Sequence, residues 1–75
     1  MDPAIEFGKV LRELRKEAKL SQEQLSFEAG IERNFVSLIE RGINQPSIRV
    51  IFKLASALNI TASAMIYLVE QRIID

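Results

Sequence analysis

Three polar side chains in the middle of the chain could read the edges of DNA bases. Arg33, Asn34 and Ser37 are spaced so that a helix over this segment carries them on one side. An arginine can donate two hydrogen bonds to guanine, an asparagine can bond bidentately to adenine, and a serine suits either base. Val36 and Ile39 would hold the opposite side against a core. An ordinary solvated helix can have the same polar side, and these three residues alone favour that plainer interpretation.

The absence of cysteine and histidine excludes most catalytic and metal-binding chemistry. Without these residues, the chain can form no disulfide and no site of the usual zinc, haem or iron–sulfur types. Catalytic triads that depend on a histidine base are equally excluded. Carboxylates, lysines and hydroxyls remain, but the sequence has no paired constellation of them and no phosphate-cradling loop. We therefore expect no enzyme, no metal and no cofactor.

The balance of charge limits the kind of DNA binding that the chain can achieve. Ten basic and ten acidic residues cancel, which counts against indiscriminate phosphate binding but not against a few cations gathered on one face. The N-terminal segment lacks the basic and apolar stretches of a secretory signal. The longest apolar run, Ala62–Val69, is interrupted by Ser63 and is too short to span a bilayer. We expect a cytoplasmic protein without a membrane partner.

The elements that must position the polar residues are helices. Residues 1–75 are predicted to form one all-α domain. Apolar periodicity and capping residues predict five helices: Ile5–Lys19, Gln22–Ala29, Arg33–Arg41, Ile48–Asn59 and Ala62–Ile74. Ser21 and Gln24 have capping-box spacing, and Gly30 suits the left-handed residue that ends a helix. Gly8 lowers the helix propensity of the first segment, which indicates close approach by another element.

The apolar positions also predict which sides of the helices face the core. In the fourth helix, which Ser47 caps, they recur at helical spacing: Ile48, Ile51, Phe52, Ala55 and Leu58. In the second and third helices the inward positions are Leu25, Ala29, Ile31, Val36 and Ile39. A tight turn containing Gly30 joins these two helices. Such a pair can lay one helix across DNA while the next enters the major groove.

The segment Leu20–Gly42 resembles the helix-turn-helix of the lambda-repressor/Cro-like (XRE) family. The resemblance lies in SQEQL, in the AGI turn and in FVSLIERG. The following NQPS, with the apolar helix that ends in ALNI, is similar to the fourth helix of that family. Phe7–Ala62 is the extent of the resemblance. It implies a compact five-helix bundle that binds double-stranded DNA, with the helix-turn-helix at about residues 21–41.

The resemblance also implies roles for individual residues. Arg33 and Asn34 match positions that read bases, and Ser37 lies one turn further along the same helix. Gln22 matches a glutamine that approaches a phosphate at the start of the second helix, where the helix N-terminus favours anions. Phe35 is predicted to touch the DNA backbone or a thymine methyl group, or else to pack against the fourth helix.

Two further sets of residues follow from the same resemblance. Arg41, Asn44 and Gln45 fall where the segment after the recognition helix approaches the DNA backbone. Arg15 and Glu40 match an ion pair between the first and third helices, so we expect them to be structural. Loss of either partner would leave a partly buried charge unpaired and would destabilise the domain.

The fifth predicted helix, about residues 62–74 and capped by Thr61, has more apolar surface than one core requires. One stripe consists of Ala62, Met65, Ile66, Val69 and Ile73, and three more large apolar residues lie outside it: Tyr67, Leu68 and Ile74. The surplus predicts a homodimer interface, built from Met65, Ile66, Leu68 and Val69. The alternative is a thick core-facing helix with a few exposed apolar residues. A symmetric dimer would separate two recognition helices by about 34 Å and read a palindrome.

Together these features predict a transcriptional regulator that binds a palindromic operator as a homodimer. Its length and its last helix are similar to those of restriction–modification controller proteins, and antitoxins and phage repressors share the same build. The alternative function is that of an antitoxin, or of another protein-interaction module that uses the same fold.

Overall fold

The computed structural model describes residues 1–74 and contains five helices joined by short turns. They are α1 (Pro3–Glu17), α2 (Gln22–Ala29), α3 (Arg33–Glu40), α4 (Ile48–Ala57) and α5 (Ala62–Ile74). The all-α class is confirmed, and every predicted helix is present in the predicted order. No single helix within residues 1–74 is long and apolar enough to cross a membrane; α4 and α5 reach that length and composition only together, and they meet at 104°.

Side-chain caps begin the helices where the sequence predicts them. The Gln24 amide N–H donates to Ser21 Oγ over 3.0 Å, and the Ser21 N–H donates to Gln24 Oε1 over 2.8 Å. This reciprocal capping box satisfies two backbone N–H donors at the start of α2. Ser47 caps α4 and Thr61 caps α5 through single hydrogen bonds from the backbone three residues ahead.

The two ends of α1 differ from the prediction. The helix begins earlier because the Asp2 carboxylate accepts the Ala4 N–H over 2.9 Å and Pro3 occupies the first helical position. It also ends earlier, at Glu17, because Lys19 adopts a left-handed conformation with φ of 60°. That turn lets the Leu20 N–H donate back to the carbonyl of Arg15, as in a Schellman motif.

The ends of α3 and α4 were also predicted too late. In α4, Asn59 has φ of 60°, and the Ile60 N–H donates to the carbonyl of Ala55. The helix therefore ends at Ala57 and not at Asn59. In α3 the last helical residue is Glu40, with Arg41 as its cap.

A single hydrophobic core lies between the helices, and α1 and α3 meet closely there. Its largest fully buried side chains are Leu11, Leu25, Val36, Ile39, Leu54 and Met65. A Cβ atom on Gly8 would lie 2.4 Å from the carbonyl oxygen of Ile39 and 2.7 Å from that of Glu40. Gly8 therefore permits the close helix contact that its position in the sequence predicted.

The predicted core side of α4 was partly wrong. Ile48 is 71% exposed and Phe52 is 62% exposed, whereas Leu54, which the prediction omitted, is fully buried. The buried positions of this helix are Ile51, Leu54 and Ala55. They form a stripe on a different side of α4 from Ile48 and Phe52. The side of α4 that is buried is the side that contacts α2 and α5, and the spacing of apolar residues within α4 does not reveal this.

A buried carboxylate on α1 joins that helix to the end of α5. Glu6 is only 4% exposed, and Arg72 Nε donates to Glu6 Oε1 over 2.9 Å. Lys9 Nζ lies 3.5 Å from the other oxygen of Glu6. The hydrogen bond from Arg72 lowers the pKa of Glu6, although burial opposes this effect, and Lys9 lowers it further. The pair across these two helices was not predicted.

Glu6→Gln is expected to make the protein less stable at neutral pH, with the difference disappearing in acid. Because the folded state lowers the pKa of Glu6, its stabilising effect is complete above the ordinary value of 4.5 and is lost as the pH falls through the folded-state pKa. Urea unfolding at pH 7 and at pH 3 measures the difference. Glu13→Gln is the control, because Glu13 contacts the same arginine at 3.4 Å with a side chain that is 62% exposed. Equal losses at both pH values would contradict the prediction.

Candidate nucleic-acid interface

Four polar residues line a shallow hollow between the start of α2 and the outer side of α3. They are Gln22, Arg33, Asn34 and Ser37, and the hollow has a volume of about 220 Å³. We call it the α2–α3 hollow. It brings together the three residues predicted to read bases and the glutamine predicted to approach a phosphate. They are separated by up to fifteen positions along the sequence.

Packing of α3 presents these side chains outward. Val36 and Ile39 are fully buried, so the opposite side of the helix carries Arg33 and Asn34 into solvent. Ser37 is half-buried one turn further along. An arginine and an asparagine at the first turn of an outward helix can form the paired hydrogen bonds that distinguish guanine and adenine.

The turn between α2 and α3 sets their relative direction. Gly30 ends α2 with φ of 70°, a conformation that costs glycine little because it has no Cβ. The Ile31 N–H then donates to the carbonyl of Ser26 over 3.0 Å. This short reversal directs α3 away from α2 while keeping the start of α2 beside the start of α3.

An ion pair lies behind the hollow and connects three parts of the chain. Arg15 Nε donates to Glu40 Oε2 over 2.6 Å, and Arg15 Nη2 donates to Glu40 Oε1 over 3.1 Å. Arg15 Nη1 also donates to the carbonyl of Leu20 over 2.8 Å. Only 11% of the Arg15 side chain and 3% of the Glu40 side chain are exposed. The pair therefore joins α1 to α3 and to Leu20, two residues before the start of α2.

The ion pair also contacts the hollow directly, which the sequence did not predict. Gln22 Nε2 donates to Glu40 Oε1 over 3.1 Å. Glu40 thus accepts hydrogen bonds from a structural arginine and from a residue of the α2–α3 hollow. No sequence pattern predicted this contact, because the resemblance gave Gln22 and Glu40 separate roles.

The remaining predicted DNA-backbone residues lie outside the hollow. Arg41 is exposed at the end of α3, and Asn44 and Gln45 belong to the loop that follows. Gln45 lines an apolar groove beside α5. Phe35 is half-buried and packs against the core, which favours the packing interpretation that the sequence left open.

Two of the four predicted interface residues belong to the core of the domain itself. Met65 is fully buried, so the prediction that it contacts a second copy was wrong. Val69 is 6% exposed and keeps only a small surface, which lines a groove beside α5. They are buried because α5 packs its central stripe against α1 and α4. Ile66 and Leu68 are 43% and 39% exposed, and residues two apart point to opposite sides of a helix.

The two predicted homodimer-interface residues that are exposed, Ile66 and Leu68, line different depressions. Ile66 lines an open apolar groove of about 440 Å³ between α5, the start of α1 and the loop before α4, together with Phe7, Pro46, Ile51, Val69, Ile73 and Ile74. We call it the α1–α5 groove. Leu68 lines a depression on the other side, beside Glu13, Glu17 and Arg72 of α1 and α5. Ile74, which is 67% exposed, extends the apolar surface of the groove.

The chain resembles proteins with this architecture over most of its length. The family model described as Helix-turn-helix matches residues 11–64. Control protein C.MunI of Mycoplasma sp is 35% identical over 71 residues, with 93% of this chain and 96% of that protein covered. The restriction-modification controller protein C.AhdI from Aeromonas hydrophila superposes with a TM-score of 0.81 at 44% identity, covering 83% of this chain and 94% of the other.

Longer proteins contain a similar segment. The immunity repressor protein of Bacillus phage phi105 is 37% identical over 59 residues, which are 79% of this chain and 41% of the repressor. The first curated relatives share this proportion, since the chain covers 41% of the length of each. The family model includes all four residues of the α2–α3 hollow.

Proposed function

We propose, since this chain belongs to the helix-turn-helix family, that it is a sequence-specific DNA-binding regulator of transcription that acts as a homodimer on a palindromic operator. The observation that carries the proposal is the α2–α3 hollow. It gathers an arginine, an asparagine and a serine on the outward side of α3, with a glutamine at the N-terminus of α2. These groups can read base edges and bind a phosphate at the same time.

In this proposal, some residues contact DNA bases and others contact the DNA backbone. Arg33 and Asn34 contact base edges in the major groove, and Ser37 contacts a neighbouring base. Gln22 contacts a phosphate at the edge of the groove, and Arg41 and Asn44 contact the backbone further along. Because the chain has no net charge, specificity depends on these few contacts more than on general attraction to phosphates.

A second copy of the chain occupies the α1–α5 groove in this proposal. A two-fold contact would cover Ile66 and Ile74 of each copy with the same surface of the other. Two exposed apolar residues of α5 on the edge of the groove, Ile66 and Ile74, support this arrangement. A dimer doubles the small contact set of one copy, and the two recognition helices then match a palindrome.

A narrower assignment is that of a restriction–modification controller. Its support is that C.MunI and C.AhdI align over 96% and 94% of their own lengths. Genes for a methyltransferase and a nuclease beside this gene would support the assignment. A neighbouring toxin gene would indicate an antitoxin instead.

Arg33→Ala tests the proposal most directly. On a duplex selected from a random pool, the variant is expected to lose about 1–3 kcal/mol of specific binding free energy and to relax the preference at one base position. Fluorescence anisotropy with specific and scrambled duplexes measures both effects. Arg49→Ala is the matched control, because Arg49 is an exposed arginine on α4 that lines a different depression.

Two results would count against this function. If the wild-type protein forms no salt-sensitive complex with any selected duplex, the chain is not a DNA-binding regulator. If Arg33→Ala lowers specific and nonspecific affinity equally, then Arg33 contacts a phosphate and does not read a base.

A further inference from the structure

We propose that Glu40 is a positioning residue that orients the Gln22 side chain toward DNA, in addition to its ion pair with Arg15. The inference rests on the proposed DNA-binding function. It starts from the 3.1 Å hydrogen bond from Gln22 Nε2 to Glu40 Oε1. Glu40 itself touches no DNA in this arrangement, because its side chain is 3% exposed.

The chemistry of the carboxylate determines which way the amide faces. An ionised carboxylate has only acceptors, so the nitrogen of the Gln22 amide must point toward it. The amide oxygen and the second N–H of Gln22 then remain available in the α2–α3 hollow. The same edge of the amide is therefore presented to DNA in every molecule.

Glu40 does not need Gln22 for its own stability. Both of its oxygens already accept hydrogen bonds from Arg15, Oε2 from Nε and Oε1 from Nη2. The additional hydrogen bond therefore mainly affects Gln22, a half-buried residue at the edge of the hollow. A glutamine side chain loses conformational entropy when a ligand fixes its rotamer. Because Glu40 already restricts the Gln22 rotamers in the free protein, less entropy is lost when DNA binds.

The acceptor itself is held rigidly. Arg15 donates to the carbonyl of Leu20 as well as to Glu40, and Leu20 lies two residues before Gln22. The network thus connects α1, the start of α2 and the end of α3. The position of Gln22 relative to Arg33 and Asn34 is consequently linked to the buried ion pair.

A double-mutant cycle between Glu40→Gln and Gln22→Ala tests the proposal. Each single variant is expected to weaken specific DNA binding about tenfold, which is the scale of one glutamine's rotamer freedom. In the Gln22→Ala background, Glu40→Gln is expected to weaken binding no further than about twofold. Urea unfolding of all four proteins measures stability, where Glu40→Gln is expected to be destabilising in both backgrounds.

The cycle separates positioning from a purely structural role. If Glu40→Gln weakens binding equally in both backgrounds, Glu40 acts only through stability and the proposal is wrong. If the wild-type protein binds no selected duplex, the DNA-binding function fails and not this inference alone.

A measurement on the free wild-type protein keeps the test independent of whether Glu40→Gln folds. The side-chain amide of Gln22 is expected to be rigid in ¹⁵N relaxation, whereas those of the exposed Gln45 and Gln71 are expected to be mobile. Equal mobility of the three amides would overturn the proposal without any DNA or any substitution.

Discussion

Ile66→Lys is expected to convert the proposed homodimer to a monomer and to weaken binding to a palindromic duplex by about 10²–10⁴-fold. Ile66 is 43% exposed and lines the α1–α5 groove, so a two-fold contact there would place the new ammonium in a desolvated apolar surface on both copies. In a dimer, the copy bound to the first half-site holds its partner at a high local concentration near the second half-site. A monomer lacks this advantage, because a separate protein molecule must bind the second half-site from solution. Sedimentation velocity and fluorescence anisotropy measure the two effects.

Leu68→Lys is the matched control for this prediction. Leu68 has nearly the same exposure, 39%, on the same helix, but it lies on the other side beside Glu13 and Glu17. The sequence predicted Leu68 to share an interface with Ile66, but one contact through the α1–α5 groove does not reach the other side of α5. The same substitution at Leu68 should therefore leave a dimer that binds DNA. If Leu68→Lys yields monomers and Ile66→Lys does not, the interface lies on the opposite side of α5.

Gly8→Ala is expected to destabilise the domain by about 3 kcal/mol, the upper part of the usual range for overpacking a core. The added Cβ would lie 2.4 Å and 2.7 Å from two backbone oxygens of α3, and backbone cannot move aside as the end of a side chain can. Helix propensity alone predicts the opposite sign, a gain of about 1 kcal/mol from glycine to alanine. The sign of the change in unfolding free energy therefore shows whether the clash with α3 or the gain in helix propensity is larger.

Urea unfolding of Gly8→Ala and of Arg12→Gly completes this test. Arg12 is exposed in the middle of the same helix, so its replacement by glycine measures the effect of helix propensity, at a cost of about 1 kcal/mol. At temperatures where Gly8→Ala is still folded, its DNA affinity should also be lower than that of the wild type, because the displaced helix α3 carries Arg33 and Asn34. A Gly8→Ala protein that is more stable than the wild type would show that α1 and α3 do not approach as described.

Local sequence signals predicted most of the helical architecture. The Ser21 and Gln24 capping box, the Ser47 cap and the left-handed Gly30 each depend on residues within about five positions of one another. Such contacts form within a single turn of chain and therefore leave a readable pattern. The ends of α1 and α4 were predicted too late for the same reason. The left-handed residues after these helices are Lys19 and Asn59, whereas the usual sequence signal for a left-handed residue is a glycine.

The candidate site was accessible to sequence analysis for a related reason. Arg33, Asn34 and Ser37 share one side of one helix, and helical spacing alone predicts that they lie together. Gln22 was assigned to the same site only through the family resemblance, since no local sequence pattern connects it to α3. Its hydrogen bond to Glu40 became visible only when α2 and α3 were seen packed together.

The sequence by itself determined the five helices, the capped turns between them and the polar outer side of α3, because these depend on short-range backbone preferences and helical periodicity. Only the tertiary structure decided which apolar residues are buried. It placed Met65 and Val69 in the core, left Ile48 and Phe52 exposed, and paired Glu6 with Arg72 across almost the whole chain. Burial and long-range pairing depend on how each helix is rotated against its neighbours, and that rotation follows from the packing of all five helices at once.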